Sequence, residues 1–178
     1  LEAAGAIVEA VDPAIGDPRQ AELALWASGV ARGVLTMPAE KRALMDPDLV
    51  RMAAFAETIR AVDLKAAEVE RLAVAQSLGR FLDRYDLLLS PATGITAFPV
   101  DRQLADPETE TWWLDWAAFT FPFNMSGQPA ASFPWGEDVA GLPIGVHLAA
   151  ARFRDATVLR AARVLEEAKP VPLPPLAR

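Results

Sequence analysis

From Phe119 to Pro134 the chain reads FTFPFNMSGQPAASFP, and Gly141 to Leu148 follows as GLPIGVHL. Pro, Asn, Gly and Gln crowd the first part, and two strand-like runs come directly after it. Residues of these types direct the backbone, so the segment predicts a shaped, backbone-rich loop laid against a sheet edge. The strands are expected at Ala130 to Phe133 and Ile144 to Ala149, with 135–141 as their connection.

The rest of the chain supplies elements to pack around that edge. Ala6 to Val11 is a short apolar run with β-branched residues and reads as a strand. Asp17-Pro18 and Asp46-Pro47 each place a capping acid before a proline suited to a first helical turn. They open helical patterns at about 18–32 and 47–83. Met52, Phe55, Ile59, Val62, Ala66, Val69 and Ala73 recur three and four apart along the second, which is long enough to hold a bend or two helices end to end. Two of those seven positions are Ala. That is thin for a coiled-coil seam, so the stripe reads as a helix lying across the domain. Asp86 to Ser90 reads as a buried strand, 91–111 as irregular, and Trp112 to Ala118 as a short helix. Asp155 opens a last helix over about 156–168, with Val158, Leu159, Ala162 and Leu165 on its apolar face. Strands alternate with helices, so the class is α/β. Residues 1–178 form a single partial domain that ends in a Pro-rich tail at 170–178.

Composition bounds the function. The net charge is −7 and the pI about 4.8, which argues against nucleic acid, because phosphate contacts need a basic face. No basic run suits an anionic membrane, and no apolar run reaches the roughly 18 residues that span one. The chain has no cysteine. Disulfides, thiolate nucleophiles and Cys-based zinc sites are therefore excluded, and a cytoplasmic location fits. The chain starts Leu1-Glu2-Ala3 without an initiator Met and reads as entered mid-protein. With 52% apolar residues, it is expected to carry an uncovered apolar face, and so to bind a missing portion or itself as a homo-oligomer.

Chemistry-bearing motifs are scarce. There is no G-x-S-x-G elbow, no S-x-x-K and no Gly-rich phosphate loop. His147 is the one histidine, and it sits inside an apolar strand, out of step with Val146 and Leu148. It reads as structural. With one histidine and no cysteine, neither a metal nor a cofactor is expected. The aromatic run Trp112, Trp113, Trp116, Phe119, Phe121 and Phe123 suits either the wall of an apolar ligand cleft or a core patch or interface with a missing portion. The residues by themselves leave both open.

Four blocks stand in a recognisable order: Tyr85 to Thr93 (YDLLLSPAT), Phe119 to Pro134, Gly141 to Leu148, and Asp155 to Glu166 (DATVLRAARVLE). In this order they resemble the C-terminal half of the amidase signature family, closely over about 78–168 and only in layout over 1–77. The resemblance implies the C-terminal part of an α/β/α fold, a mixed sheet flanked by helices. It also implies hydrolysis of carboxamide bonds by a Lys, a bridging Ser and a nucleophilic Ser, with backbone N–H groups of a Gly-rich turn holding the oxyanion.

No Gly/Ser-rich signature occurs in this chain, and Lys41, Lys65 and Lys169 fall on helices or at the tail. None is carried over as catalytic, and the catalytic half is expected upstream of Leu1. What the resemblance does place here is one wall of the cleft for a small-molecule amide. The loop after Ser90 with Thr93, and the 116–124 segment with Trp116 and Phe119, are the expected substrate-binding residues. Family members of the glutamyl-tRNA amidotransferase branch carry an acid at the position of Ala117, so a less polar amide is favoured here. The wording Ala117 to Asn124 resembles the branch of cyclic-amide and aryl-acyl amidases. A non-catalytic interaction module and an amidotransferase A-subunit-like protein are the alternatives.

Overall fold

The computed structural model describes residues 1–106, 108–110, 112 and 115–171. The expected tail at 170–178 therefore lies almost wholly outside the described residues, as do Trp113 and Leu114 of the aromatic run. Six α-helices and three strands are described: α1 (Arg19–Leu35), α2 (Ala39–Arg42), α3 (Pro47–Ala56), α4 (Ala61–Leu82), β1 (Leu88–Pro91), α5 (Phe121–Ser126), β2 (Ala130–Glu137), β3 (Pro143–Ala149) and α6 (Asp155–Ala168). The α/β class holds.

The strand order is β1-β3-β2, and both ladders are antiparallel. Because β3 is central, its alternating side chains define the two faces of the sheet. On one face Leu148, Ala150 and Phe133 pack against Val158 and Leu165 of α6. On the other, Ala149 packs against Val74 and Leu78 of α4 and Phe123 of α5. Helices thus cover both faces, giving three layers. Pro134 is tolerated in β2 because it lies on an edge strand beside an irregularity at 134–136 that relaxes the ladder.

The β2–β3 turn is set by Asp138. Its Oδ1 accepts from Ala140 N at 2.8 Å and Leu142 N at 2.9 Å, while Gly141 takes φ +79°. Thr96 Oγ1 donates to the other oxygen at 2.8 Å, which ties the 91–111 loop to the hairpin. These bonds favour the charged form and hold the Asp138 carboxyl below its ordinary range, the Leu142 N–H contributing most.

The expected element over 47–83 is present as two helices. Asp46 caps α3 through bonds from Asp48 N and Leu49 N, with Pro47 in the first turn. The helix stops at Ala56. Thr58 Oγ1 then donates to Phe55 O at 2.7 Å, competing with helical bonding, and Arg60 adopts an extended conformation before α4 begins. The break resets the phase. Ala67, Val74, Leu78 and Leu82 are the buried residues of α4, whereas Val62 and Val69 of the expected stripe are 63% and 69% exposed. Met52 alone of that stripe is fully buried, against Leu23 and Ala27 of α1. Small residues on α1 (Ala21, Ala27, Ala31) let it lie close to α3 and α4.

Three further expectations change. Ala6 to Val11 forms no strand among the described residues: it has no ladder partner, and Ile7 is 93% exposed. Residues 121–126 form a helix rather than a loop, with Pro122 in its first turn and Gly127 closing it in the left-handed region at φ +71°. In the 112–118 stretch, the described helical residues are the 3-10 turn Asp115–Ala117.

Candidate functional site

The loop after β1 and the segment before α5 meet. Ala92 N donates to Gly145 O at 2.9 Å, which carries the chain off the sheet, and Gly94 N donates to Trp116 O at 3.2 Å. A side chain at Gly94 would sit 3.9 Å from the Phe119 ring. Thr93, Trp116 and Phe119 therefore lie on two loops in contact. The Thr93 hydroxyl donates to Ile95 O at 2.7 Å and so shapes its own loop. Phe119 is 40% exposed, while Trp116 is half-buried.

The aromatic run does not act as one surface. The Trp112 ring meets Phe55 at a tilt, with centroids 5.2 Å apart, and lies under the Arg51 guanidinium at 4.4 Å, as part of the α1–α3 packing. Phe121 is buried with Ala21 and Ala67. Phe123 turns its ring to His147, 4.8 Å away. Phe119 is left at the surface beside the Thr93 loop.

Immediately beyond Phe119 a cavity of about 310 Å³ opens between α5 and the sheet, lined by Thr120, Phe123, Asn124, Gln128, Ser132 and His147 among others. Its polarity comes from register. Ser90 of β1 and Ser132 of β2 both stand opposite His147 of β3, and directly opposed residues point to the same face. A Ser–His–Ser row thus crosses the sheet, next to Gly145. There a Cβ would come within 3.0 Å of Ala92 Cβ and 3.3 Å of Ser132 Oγ. A larger residue would fill this end of the row.

His147 is buried, and burial pushes its imidazole pKa below the usual value, favouring the neutral ring. A serine-activating histidine characteristically holds an acid on its second nitrogen; among the described residues Nδ1 of His147 has no hydrogen-bond partner. Ser90 Oγ donates to Pro91 O at 3.1 Å. Of the lysines, Lys65 pairs with Glu68 at 2.7 Å, Lys169 donates to Trp135 O at 2.9 Å, and Lys41 lies in α2. None of the three lines the cavity.

Gln128 and Asn124, with Thr120, are polar lining residues that the sequence does not single out. They sit inside the 119–134 segment, but only the α5 helix and the register of β3 bring them together with His147. On the far side of Gln128 a second, more open depression of about 580 Å³ is lined by Asn124, Arg152, Phe153 and Asp155. Arg152 Nε and Nη2 both donate to Ser126 O, the Nε bond at 2.9 Å, and so fasten the end of α5 to the turn before α6.

The arrangement can be set beside known proteins. A family model described as Amidase matches residues 34–159. An acylamidase of Rhodococcus erythropolis is 32% identical over 177 residues, which cover 96% of this chain and 37% of that protein. The A chain of the glutamyl-tRNA(Gln) amidotransferase of Syntrophomonas wolfei is 39% identical over 104 residues, 58% of this chain and 20% of that protein. Among solved structures, 6-aminohexanoate cyclic dimer hydrolase matches 99% of this chain and 41% of its own with a TM-score of 0.77 and 26% identity. The chain thus spans well under half the length of these relatives. The blocks at 85–93, 119–134, 141–148 and 155–166, their arrangement as β1, α5 with β2, β3 and α6, and the matched span 34–159 agree: the chain belongs to the amidase signature family.

Proposed function

We propose that this chain is the C-terminal portion of an amidase signature hydrolase that cleaves carboxamide bonds. It supplies part of the core and one wall of the substrate cleft. The observation that supports this reading is the junction of two loops, Gly94 N to Trp116 O, which brings the Thr93 loop against the segment of Trp116 and Phe119; Thr120, the residue after Phe119, lines the cavity under α5. The family relationship supports an amide as substrate. The acylamidase and the cyclic dimer hydrolase are named for amide chemistry. Ala117, at the position where the amidotransferase branch carries an acid, favours an uncharged, apolar amide.

The nucleophile and its base come from the catalytic half, through the Lys and two Ser of the family. This chain orients substrate and excludes water. Its exposed apolar residues, Val62, Val69 and Leu72 on α4 and Ile7 in the N-terminal segment, are the surface that such a half or a second copy would cover. Among the described residues no helix is long and apolar enough to cross a membrane. The lack of cysteine suits a reducing compartment, and we place the protein in the cytoplasm.

The test is complementation. The purified chain is assayed against small aryl and alkyl amides alone, and again after mixing with the upstream catalytic half. Turnover is expected only in the mixture, since loss of an activated nucleophile removes several orders of magnitude in rate. Turnover by the chain alone that disappears in His147→Ala or Ser132→Ala would overturn the assignment.

A further inference from the structure

The segment that carries Trp116 and Phe119 is held differently at its two ends. Downstream, core packing fixes it: Phe121 and Met125 are buried with Ala21 of α1 and Ala67 of α4, and Ala118 packs against the same cluster. Upstream, the 3-10 turn Asp115–Ala117 contains no buried residue, so polar bonds carry more of its placement. Asp115 makes such bonds. Its Oδ2 accepts from Trp112 N at 3.1 Å, and its Oδ1 accepts from Arg19 Nη1 at 3.4 Å. The turn then receives its neighbours on both sides of Phe119: Trp116 O accepts from Gly94 N at 3.2 Å and Ala117 O from Thr120 N at 2.9 Å.

Arg19 is an unexpected residue for the place it holds. It is the first residue of α1, where the helix dipole opposes a cation. Its Nε is buried without a hydrogen bond among the described residues, which is a cost in itself. That nitrogen lies 3.8 Å from Asp17 Oδ1, but the Asp17 side chain is 69% exposed, so water screens the pair. Neither the helix nor Asp17 accounts for the side chain. Asp115 does, because its side chain is only 16% exposed and a cation beside it offsets the loss of hydration.

We propose that Arg19 is a positioning residue for the substrate wall. By holding Asp115 it fixes the turn that carries Trp116 and leads into Phe119, and so sets how the cleft discriminates among acyl groups. Arg19 acts through Asp115 and lines neither depression described above. The inference rests on the amidase reading for the cleft and its substrate, whereas the hold of Arg19 on the turn is measurable without turnover.

That hold is read from amide exchange by NMR on the 178-residue chain. Arg19→Met keeps a long side chain and removes the charge. The Gly94 and Thr120 amides, whose acceptors lie in the turn, should exchange about threefold faster, the scale of one partly exposed ion pair. Ala92 N, bonded to Gly145 O, and Ala150 N, bonded to Pro129 O, should keep their rates. In an Asp115→Asn background Arg19→Met should add nothing, because its partner is already neutral. Arg19→Gln replaces Arg19→Met if the latter does not fold. The consequence is read in the full-length enzyme as the ratio of kcat/KM for a bulky and a short apolar amide. Arg19→Met should move that ratio about threefold, in the direction taken by Phe119→Ala.

Unchanged exchange at Gly94 and Thr120 would overturn the inference. Equal acceleration at Ala92 and Ala150 would do so too, since it marks a staple of the whole fold. Additive effects of the Arg19 and Asp115 substitutions, or a selectivity ratio that stays put while the turn amides accelerate, would also overturn it. Full-length protein that turns over neither amide would sink the amidase reading and the specificity role with it, even with the turn amides accelerated in Arg19→Met. A shifted preference in Phe119→Ala with Arg19→Met silent in both readouts would keep the amidase reading and overturn the role of Arg19.

Discussion

The two faces of β3 differ in how completely the fold uses them. Toward α6, Leu148 and Ala150 are fully buried and meet Phe133, Val158 and Leu165 in an apolar layer. Toward α5, one residue away along the same strand, His147 is 5% exposed, and among the described residues its Nδ1 has no hydrogen-bond partner. The first face is what stability selects: close packing with nothing left to satisfy. The second packs Ala149 against Val74, Leu78 and Phe123 and also holds a cavity beside a Ser–His–Ser row. The difference teaches that burial is not a synonym for apolar packing here, since the α5 side combines a core layer with a polar cavity.

Substitutions on the two faces should separate these roles. The largest loss is expected from Leu148→Ala, which opens a void in a layer with no slack. Urea unfolding should show about 3 kcal/mol of destabilisation, in the usual range for a fully buried leucine. A loss under about 1 kcal/mol would mean that the α6 face is as loosely built as the other.

His147→Gln comes next. Near neutral pH it should cost no more than about 1 kcal/mol, since a polar group replaces a polar group beside a cavity. Its pH dependence is the sharper readout. Burial lowers the folded pKa of His147 below the ordinary 6.5, so the unfolded chain binds the proton first. The stability tied to neutral His147 is therefore full above about pH 6.5 and is lost as pH falls through the folded value. Unfolding midpoints compared between neutral and mildly acidic buffer should fall more steeply in the parent chain than in His147→Gln. Equal slopes, or a loss of about 3 kcal/mol at neutral pH, would show that the imidazole is built into the core instead.

The smallest effect is expected at Val69 of α4. Val69→Ser should change stability by less than about 0.5 kcal/mol, because the residue is 69% exposed. The same change should reduce self-association in light scattering if α4 presents the uncovered apolar face. Unaltered scattering would remove Val69 from that surface.

How far these features are legible in the sequence follows from how local each signal is. The last helix and β3 rest on periodicity and lie close to their expected positions, while β2 starts where expected at Ala130 but runs on to Glu137, through part of the expected connection. Helix α5 has a local signal too, Pro122 inside its start and Gly127 past its end, but the density of Pro and Gly around it has the look of a loop. The α4 stripe misleads because its count runs through the break at 57–60, and each residue of offset turns a helix by about 100°. Ala6 to Val11 has strand composition, yet a strand exists only with a partner to bond. That Gln128 and His147 line one cavity is out of reach for a different reason. Their separation of nineteen positions becomes proximity only when β3 pairs with β2 and α5 folds back onto the sheet.

The central claim is that this chain forms one wall of an amidase cleft, and Phe119 tests it most directly. In the full-length enzyme, kcat/KM is measured for a short and a bulky apolar amide with Phe119 and with Phe119→Ala. The account predicts a change in preference between the two acyl groups on the scale of about 1–3 kcal/mol, with folding little affected. Equal losses on both substrates would contradict it and make Phe119 an ordinary packing residue.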